Sequence, residues 1–252
     1  MADRSTRAMR LDVLGSSGTY PARGRPAAGY LISQGDTRVW CDTGPGTYVA
    51  LPIESELVTA IVISHEHPDH WLDLVTAFHA VCYGPNPRQG IPVFAPQSTI
   101  DHVLGIGGDD QFEGTFDFNP VAGGDTIQIG EIDVGFAWSD HSVPTVASRW
   151  EANGRVFAYS ADTGPGGDWD KIAAEADLFL CEASYQGDMA DYAYQHHLTA
   201  SLAGTIARRQ GAKKLMLTHI PPHLDPTLSV NEAETSFDRP VDLAVPGLTR
   251  KI

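Results

Sequence analysis

Apolar residues along this chain gather in short runs bounded by Gly, Pro, Asn and Asp, a spacing that favours strands over long helices. The runs are "LDVLGSS", "AGYLISQ", "TRVWCD", "TAIVIS", "IPVFAP", "DTIQIG", "EIDVGFAW", "ASRWEA", "RVFAYSA", "DLFLCEA" and "KKLMLTH". Three pairs are joined by tight turns at Gln34-Gly35-Asp36, Gly130-Glu131 and Asn153-Gly154, and Asn-Gly is the strongest hairpin signal among them. The run "AIVIS" is apolar without alternation, as expected of a strand covered on both faces. Helical periodicity is rarer. It predicts one helix from Asp69 onward with Leu72, Val75, Phe78 and Val81 on a face, and another over "ASLAGTIARRQ" between an N-cap at Thr199 and Gly211. A third is expected near "NEAETSF". Strands interleaved with helices, many of them in hairpins, predict a mixed α/β layered fold, and the absence of a linker or low-complexity stretch predicts one domain over residues 1–252.

Length and composition narrow the function. The 252 residues, 42% hydrophobic and 19% charged, are enough for a full core. A formal net charge of −15 disfavours a grip on long nucleic acids, which depends on Lys and Arg neutralising phosphates. A small anionic substrate stays open if the site brings its own cations. Cys41, Cys82 and Cys181 show no CxxC spacing, which argues against a disulfide framework and a cysteine zinc site. No apolar run is long enough to span a membrane, and "MADRSTRAMRLDVLG" lacks the apolar stretch of a signal peptide; the expected setting is cytoplasmic.

One motif occurs twice. Asp42-Thr43-Gly44-Pro45-Gly46 and Asp162-Thr163-Gly164-Pro165-Gly166 each follow a strand-like run. Chance recurrence of turn residues can produce such a repeat. So can a fold of two similar halves, each aiming an aspartate into a shared cleft.

The segment "TAIVISHEHPDHWLDL" puts His65, His67, Asp69 and His70 immediately after a buried strand. Four donors within six residues can serve two adjacent metal ions, and imidazole with carboxylate suits zinc, with manganese or iron accepted by the same donors. A histidine-rich surface loop would need no further donors, yet His141, Asp162 and His219 each follow an apolar run as well. His79, His102, His196 and His223 lack that placement and read as surface or core residues.

With "HEHPDH" followed by His141, Asp162 and His219, the chain resembles the metallo-β-lactamase superfamily, and within it the ribonuclease Z-like phosphodiesterase branch. The resemblance runs from Leu11 to about Pro222. It implies an αββα sandwich of two mixed sheets with outer helices and a dinuclear metal site. By resemblance, one metal takes His65, His67 and His141, the other Asp69, His70 and His219, with Asp162 bridging and Asp42 orienting a ligand by hydrogen bonding. The repeat then marks equivalent strand ends, and "VISHEHP" against "LTHIPPH" is a candidate second echo. Where the family usually has glycine before the bridging aspartate, this chain has Ala161.

Two such cations acidify a bridging water, whose hydroxide can attack phosphorus in line. "QHHLTASLAG" resembles the His-x-Thr element of the ribonuclease Z branch, which makes His197 the candidate acid and Glu182 in "LFLCEAS" its partner; Asp69 joins them as a catalytic candidate. Lactonases and β-lactamases of the superfamily do not depend on this element, and flavo-diiron proteins typically carry glutamate where His67 stands. The basic arm of true ribonuclease Z has no counterpart in the 20 residues between His141 and Asp162. In "LGSSGTYPARGRPAAGYLI", "FLCEASYQ" and "HLTASLAGTIARRQGAKKLMLTHIPP" the chain is most similar to actinobacterial cyclic-nucleotide phosphodiesterases. The expectation is hydrolysis of 3′,5′-cyclic AMP to 5′-AMP, with a ribonuclease Z-like 3′-end endonuclease or a lactone or β-lactam hydrolase as alternatives. A metal-free binding module is disfavoured because no ligand position is missing. Ser16, Ser17 and Thr19 are candidate substrate-binding residues or a plain turn; Tyr20, Trp71 and Tyr83 can stack on a base or pack in the core. A homodimer is suggested by resemblance.

Overall fold

The computed structural model describes residues 8–107, 112 and 114–252. The first half contains β1 (Arg10–Gly15), β2 (Gly29–Gln34), β3 (Thr37–Thr43), β4 (Ala60–Val62), α1 (Asp73–Tyr83), β5 (Ile91–Ala95), α2 (Gln97–Gly107) and β6 (Phe116–Pro120). The second contains β7 (Thr126–Ile129), β8 (Ile132–Trp138), β9 (Val146–Ala152), β10 (Arg155–Tyr159), α3 (Trp169–Ile172), β11 (Leu178–Glu182), α4 (Ala200–Arg209), β12 (Leu215–Thr218), α5 (Pro226–Phe237), β13 (Val241–Leu243) and β14 (Thr249–Lys251). They build two seven-stranded sheets, ordered β14-β1-β2-β3-β4-β5-β6 and β13-β12-β11-β10-β9-β8-β7.

Alternation within the apolar runs makes the layers. Tyr30, Ile32, Val39, Cys41, Ala60 and Val62 of the first sheet meet Phe157, Tyr159, Leu178, Leu180 and Met216 of the second in the central core. The intervening Leu31, Trp40, Ile61 and Ile63 pack outward with Leu74 and Phe78 of α1 and Val103 of α2. On the other side Ala158, Phe179, Cys181, Leu215 and Leu217 cluster with Ile206 of α4 and Phe237 of α5. Each central strand is therefore apolar on both faces, which is why its sequence shows little alternation. The result is the expected αββα sandwich.

The halves have the same topology. Sheet one changes from antiparallel to parallel pairing at β3, which is antiparallel to β2 and parallel to β4; sheet two does so at β10, between β9 and β11. The two Asp-Thr-Gly-Pro-Gly copies leave these matching strands, so the repeat marks equivalent positions. The other suggested echo does not. "VISHEHP" leaves β4, whose counterpart is β11, whereas "LTHIPPH" leaves β12, the counterpart of β5.

The predicted hairpins close at the named turns. Gln34 pairs with Thr37, Ile129 with Ile132, and Ala152 with Arg155. Asn153 and Gly154 both have positive φ, 51° and 71°, as a type I′ turn requires. The first helix departs from the sequence expectation. Pro68–His70 forms a separate 3-10 turn, Trp71 breaks it at φ −146°, and α1 starts only at Asp73. Its buried face is Leu74, Ala77, Phe78 and Val81, and Leu72 is 40% exposed. The break lets Asp69 and His70 face the sheet ends while the helix takes its own phase. Thr199 caps α4 by accepting from the Leu202 N–H at 3.2 Å, and Gly211 follows the helix at φ 67°. The third helix begins earlier than "NEAETSF", at Pro226, where Asp225 accepts from the Thr227 N–H.

Candidate active site

Every donor in question leaves the carboxyl end of a strand or a turn beside one. Asp42 stands in the last turn of β3, His65 to His70 follow β4, His141 lies between β8 and β9, Asp162 follows β10, Glu182 ends β11, and His219 follows β12. Three of these junctions take left-handed backbone without glycine: Asp42 (φ 54°), Ala161 (φ 50°) and His219 (φ 55°). Each costs roughly 1–2 kcal/mol for an L-residue. Strain repeated where three strands converge is a feature of functional sites rather than of plain turns.

The donors form two groups. In the first, His65 Nε2 is 3.1 Å from His67 Nδ1, His141 Nε2 is 3.2 Å from the same atom, and Asp162 Oδ2 lies 3.7 and 4.0 Å from the two Nε2 atoms. In the second, His70 Nε2 and His219 Nε2 are 3.2 Å apart, each 3.3 Å from Asp162 Oδ1, with Asp69 Oδ2 at 3.6 and 3.2 Å. A tetrahedral zinc ion with bonds of about 2.0–2.1 Å needs ligand atoms roughly 3.3–3.4 Å apart. Both groups are close to that, and the two oxygens of Asp162 divide between them.

Hydrogen bonds behind the rings determine what each presents. His70 Nδ1 donates to Asp42 Oδ2 at 2.8 Å, and His141 Nδ1 to the His196 carbonyl at 2.9 Å. A neutral ring that donates through Nδ1 presents a bare Nε2 lone pair. Oδ1 of Asp162 is buried with no hydrogen-bond donor among the described residues, although two imidazole nitrogens stand 3.3 Å away. Lone pairs thus face lone pairs in a buried space, a donor set that fits divalent cations and repels itself without positive charge.

Electrostatics agree. Burial foremost holds the pKa of His65, His67 and His141 below the ordinary value, so these rings are neutral and able to ligate. Burial opposes the charge of Asp162, but His219 and His70 outweigh it and hold the carboxyl well below the usual range. Asp69 likewise falls to about 2 against its burial, through His70 and His219. Burial also opposes protonation of His70, yet Asp162, Asp69 and Asp42 draw its pKa well up. Three carboxylates around one buried ring call for positive charge there, which a proton or a metal ion can supply.

Asp42 is fully buried and takes four donors: the Ser64 N–H (2.8 Å), the Ser64 hydroxyl (3.0 Å), His70 Nδ1 (2.8 Å) and the Tyr159 hydroxyl (2.8 Å). Glu182, also fully buried, takes His197 Nδ1 at 2.9 Å and the Thr163 N–H at 2.7 Å on Oε1, and the Ser184 hydroxyl at 2.7 Å on Oε2. His197 Nδ1 is also 4.0 Å from Asp162 Oδ2, and its ring stacks on His219 at 5.8 Å. Burial opposes its charge, but Glu182 raises its pKa to about 9. Tyr185 packs edge-on against the ring with centroids 5.5 Å apart, and its N–H donates to the Leu198 carbonyl.

The other candidates divide. Trp71 is fully buried and donates to the Glu66 carbonyl, so it is core. Tyr20 is exposed and stacks on His223, and Tyr83 is 74% exposed at the end of α1. The Ser16 and Ser17 hydroxyls are committed to the carbonyls of Ala244 and Arg25, and Thr19 is exposed at φ 65°. Gly18 abuts His219, where any Cβ would collide with that backbone. Sequence reasoning missed Ser64, Ser184, Tyr159 and the His196 carbonyl, whose roles depend on which ring nitrogen they meet.

Comparison with known proteins agrees with this architecture. The uncharacterized protein Rv1339 of Mycobacterium tuberculosis (strain ATCC 25618 / H37Rv) is 31% identical over 94% of this chain and 90% of its own length. The probable metallo-hydrolase YhfI of Bacillus subtilis (strain 168) is 26% identical over 95% of this chain and 98% of its own. A crystal structure of YhfI matches the fold with a TM-score of 0.88 at 24% identity, covering 98% of this chain and 100% of that one. Ribonuclease Z of Kineococcus radiotolerans is 25% identical over 83% of this chain and 82% of its own. Residues 37–220, which span all the clustered donors, match the Beta-lactamase superfamily domain. The chain is a metallo-hydrolase of the beta-lactamase superfamily, a family that implies divalent metal ions.

Proposed function

We propose that this protein is a dinuclear metal-dependent phosphodiesterase that hydrolyses a small phosphodiester, 3′,5′-cyclic AMP, to 5′-AMP. In this reading His65, His67 and His141 would hold one ion and Asp69, His70 and His219 the other, with Asp162 standing between the two groups. When bound, two divalent cations acidify water and neutralise phosphoryl oxygens.

The observation that carries the reading is the Glu182–His197 pair, 2.9 Å apart beside Asp162. Hydrolysis joins a water oxygen to phosphorus and breaks the P–O3′ bond, so the departing O3′ needs a proton. Glu182 takes the Nδ1 proton in a hydrogen bond and raises the pKa of His197 to about 9, so at neutral pH the ring also carries a proton on Nε2 to give. Acyl chemistry on a β-lactam needs no such pair at this position. The zinc preference is chemical: imidazole-rich donors at near-tetrahedral spacing suit it, and manganese or iron(II) are accepted by the same set.

Small substrates are favoured over RNA by charge and by the short β9–β10 hairpin, where Ala152 pairs directly with Arg155. With 17 Lys and Arg against 32 acids, the surface offers little to a polyanion. Among the described residues no helix is long and apolar enough to cross a membrane. The test is a side-by-side assay of zinc-loaded protein on cyclic AMP, bis-p-nitrophenyl phosphate, a tRNA precursor, a lactone and nitrocefin. Cyclic AMP and the synthetic diester should turn over, and His197→Ala should lower kcat on cyclic AMP by about 10²–10⁴-fold with metal content unchanged, and on the synthetic diester by less, because its nitrophenolate leaves without a proton. Turnover of the lactone with cyclic AMP left intact refutes the proposal.

A further inference from the structure

Each half backs a buried carboxylate with a serine at the same position, although the carboxylates themselves, Asp42 on β3 and Glu182 on β11, are not counterparts. Cys41 pairs with Val62 between β3 and β4, and Tyr159 pairs with Leu180 between β10 and β11. Extending the second register by two residues sets Ala161 opposite Glu182. Superposing the two Asp-Thr-Gly-Pro-Gly copies then matches Cys41 with Ala161, Val62 with Glu182 and Ser64 with Ser184. Both serines are buried, and both give two donors to one carboxylate. Ser64 gives its N–H to Asp42 Oδ1 at 2.8 Å and its hydroxyl to Oδ2 at 3.0 Å. Ser184 gives its N–H to Glu182 Oε2 at 3.1 Å and its hydroxyl to the same oxygen at 2.7 Å.

Each serine oxygen also meets an imidazole closely: Ser64 Oγ is 2.9 Å from His65 Nδ1, with His70 Nδ1 farther off at 3.4 Å, and Ser184 Oγ is 2.9 Å from His219 Nδ1. Proton positions follow by elimination. A carboxylate only accepts, and a serine has one hydroxyl proton, so that proton lies toward Asp42 or Glu182. The second acceptor near Ser184, the His219 carbonyl at 3.1 Å, cannot supply a proton either. In both contacts the ring must therefore be the donor. His65 and His219 are fixed as Nδ1–H tautomers, and their bare Nε2 atoms point into different donor groups.

We propose that Ser64 and Ser184 are paired positioning residues, one in each half, each fixing the tautomer and aim of one inward-facing imidazole for a divalent cation. The inference rests on the metal reading given above. Its magnitude is that of a partner standing behind a ligand, about 10–100-fold in metal affinity. The pairing directs the effect: Ser64 acts chiefly on the group of His65, His67 and His141 and more weakly, through Asp42, on His70, whereas Ser184 acts on the group of Asp69, His70 and His219. A general loss of packing would show no such division.

The test uses the full chain loaded with cadmium-113, followed by cadmium NMR during competition with a chelator and by long-range nitrogen-proton spectra of the imidazoles. Wild type should give two cadmium resonances, with His65 and His219 both protonated at Nδ1. Ser64→Ala should weaken cadmium binding in the His65 group about 10–100-fold and weaken the other group less. Ser184→Ala should do the reverse. Two wild-type resonances with both variants unchanged, or both weakened equally, overturn the serine assignment alone. An Nε2–H tautomer at either ring in the cadmium-loaded wild type overturns it without any variant having to fold. Wild type that takes up no cadmium overturns the metal reading and this inference together.

Discussion

Asp42→Asn removes a charge from a fully buried carboxylate of the site without changing its shape. Oδ2 accepts from His70 Nδ1 and the Tyr159 hydroxyl, both at 2.8 Å, and from the Ser64 hydroxyl at 3.0 Å; Oδ1 accepts from the Ser64 N–H at 2.8 Å. An amide offers one accepting atom where the carboxylate offers two. In its better orientation the amide oxygen faces the three side-chain donors, and its NH₂ then confronts the Ser64 N–H. That leaves a buried backbone donor unpaired, at a cost of roughly 1–3 kcal/mol. The remaining bonds lose charge assistance, and the total comes to roughly 2–4 kcal/mol. His70 keeps an acceptor for Nδ1–H but a weaker one, so its Nε2 becomes a poorer ligand, by about 10–100-fold in metal affinity. Urea unfolding of the metal-free protein measures the first quantity, and competition with a chromophoric chelator the second. A variant with unfolding free energy within about 0.5 kcal/mol of wild type and metal affinity within about twofold would refute this account of Asp42.

Three further outcomes follow from the same geometry. Because Glu182 raises the pKa of His197 to about 9, turnover that needs the protonated ring should hold through neutral pH and decline as pH rises through about 9. Glu182→Gln should move that limb down toward the ordinary histidine value of about 6.5, and a pH profile of kcat/KM that ignores the substitution contradicts the acid role. The same raised pKa makes the pair's contribution to stability complete below about pH 6.5 and lost as pH climbs through about 9, a trend that thermal unfolding across pH can check. At Ala161, φ 50° favours glycine while the buried methyl favours alanine. Ala161→Gly should therefore lie within about 1 kcal/mol of wild type, and Ala161→Val, β-branched in left-handed backbone, should cost more than about 2 kcal/mol; a well-tolerated valine would show that this strain is absent.

Most central strands were legible because both of their faces are buried. "TAIVIS" and "DLFLCEA" are apolar nearly throughout, so the run itself is the signal. The edges were not. β14 is Thr249–Lys251, a polar triplet that pairs only with β1, and β6 reads "FDFNP" with exposed polar positions and a terminal proline. Nothing in either run distinguishes an edge strand from a loop. α2 was missed because Ile100 and Val103 anchor it amid polar residues and glycines. At the site, the histidines and aspartates stood out because a metal-binding type directly after an apolar run is an unusual position. Asp42 was found only through its repeated motif. Ser64 and Ser184 carry no signal of their own, since a buried serine acquires a role from the atoms it faces, and those come from strands far apart in sequence.

Two cations held by the donor groups on either side of Asp162, and a proton from the Glu182-backed His197, are what the proposed cleavage of a P–O ester requires. Titrating zinc into metal-stripped protein while following 5′-AMP release from cyclic AMP tests it in one curve. Activity should be absent without metal, rise with added zinc and reach a plateau at about two equivalents per chain, as two separate donor groups require. Release of 5′-AMP by the stripped protein, or a plateau at one equivalent, contradicts it.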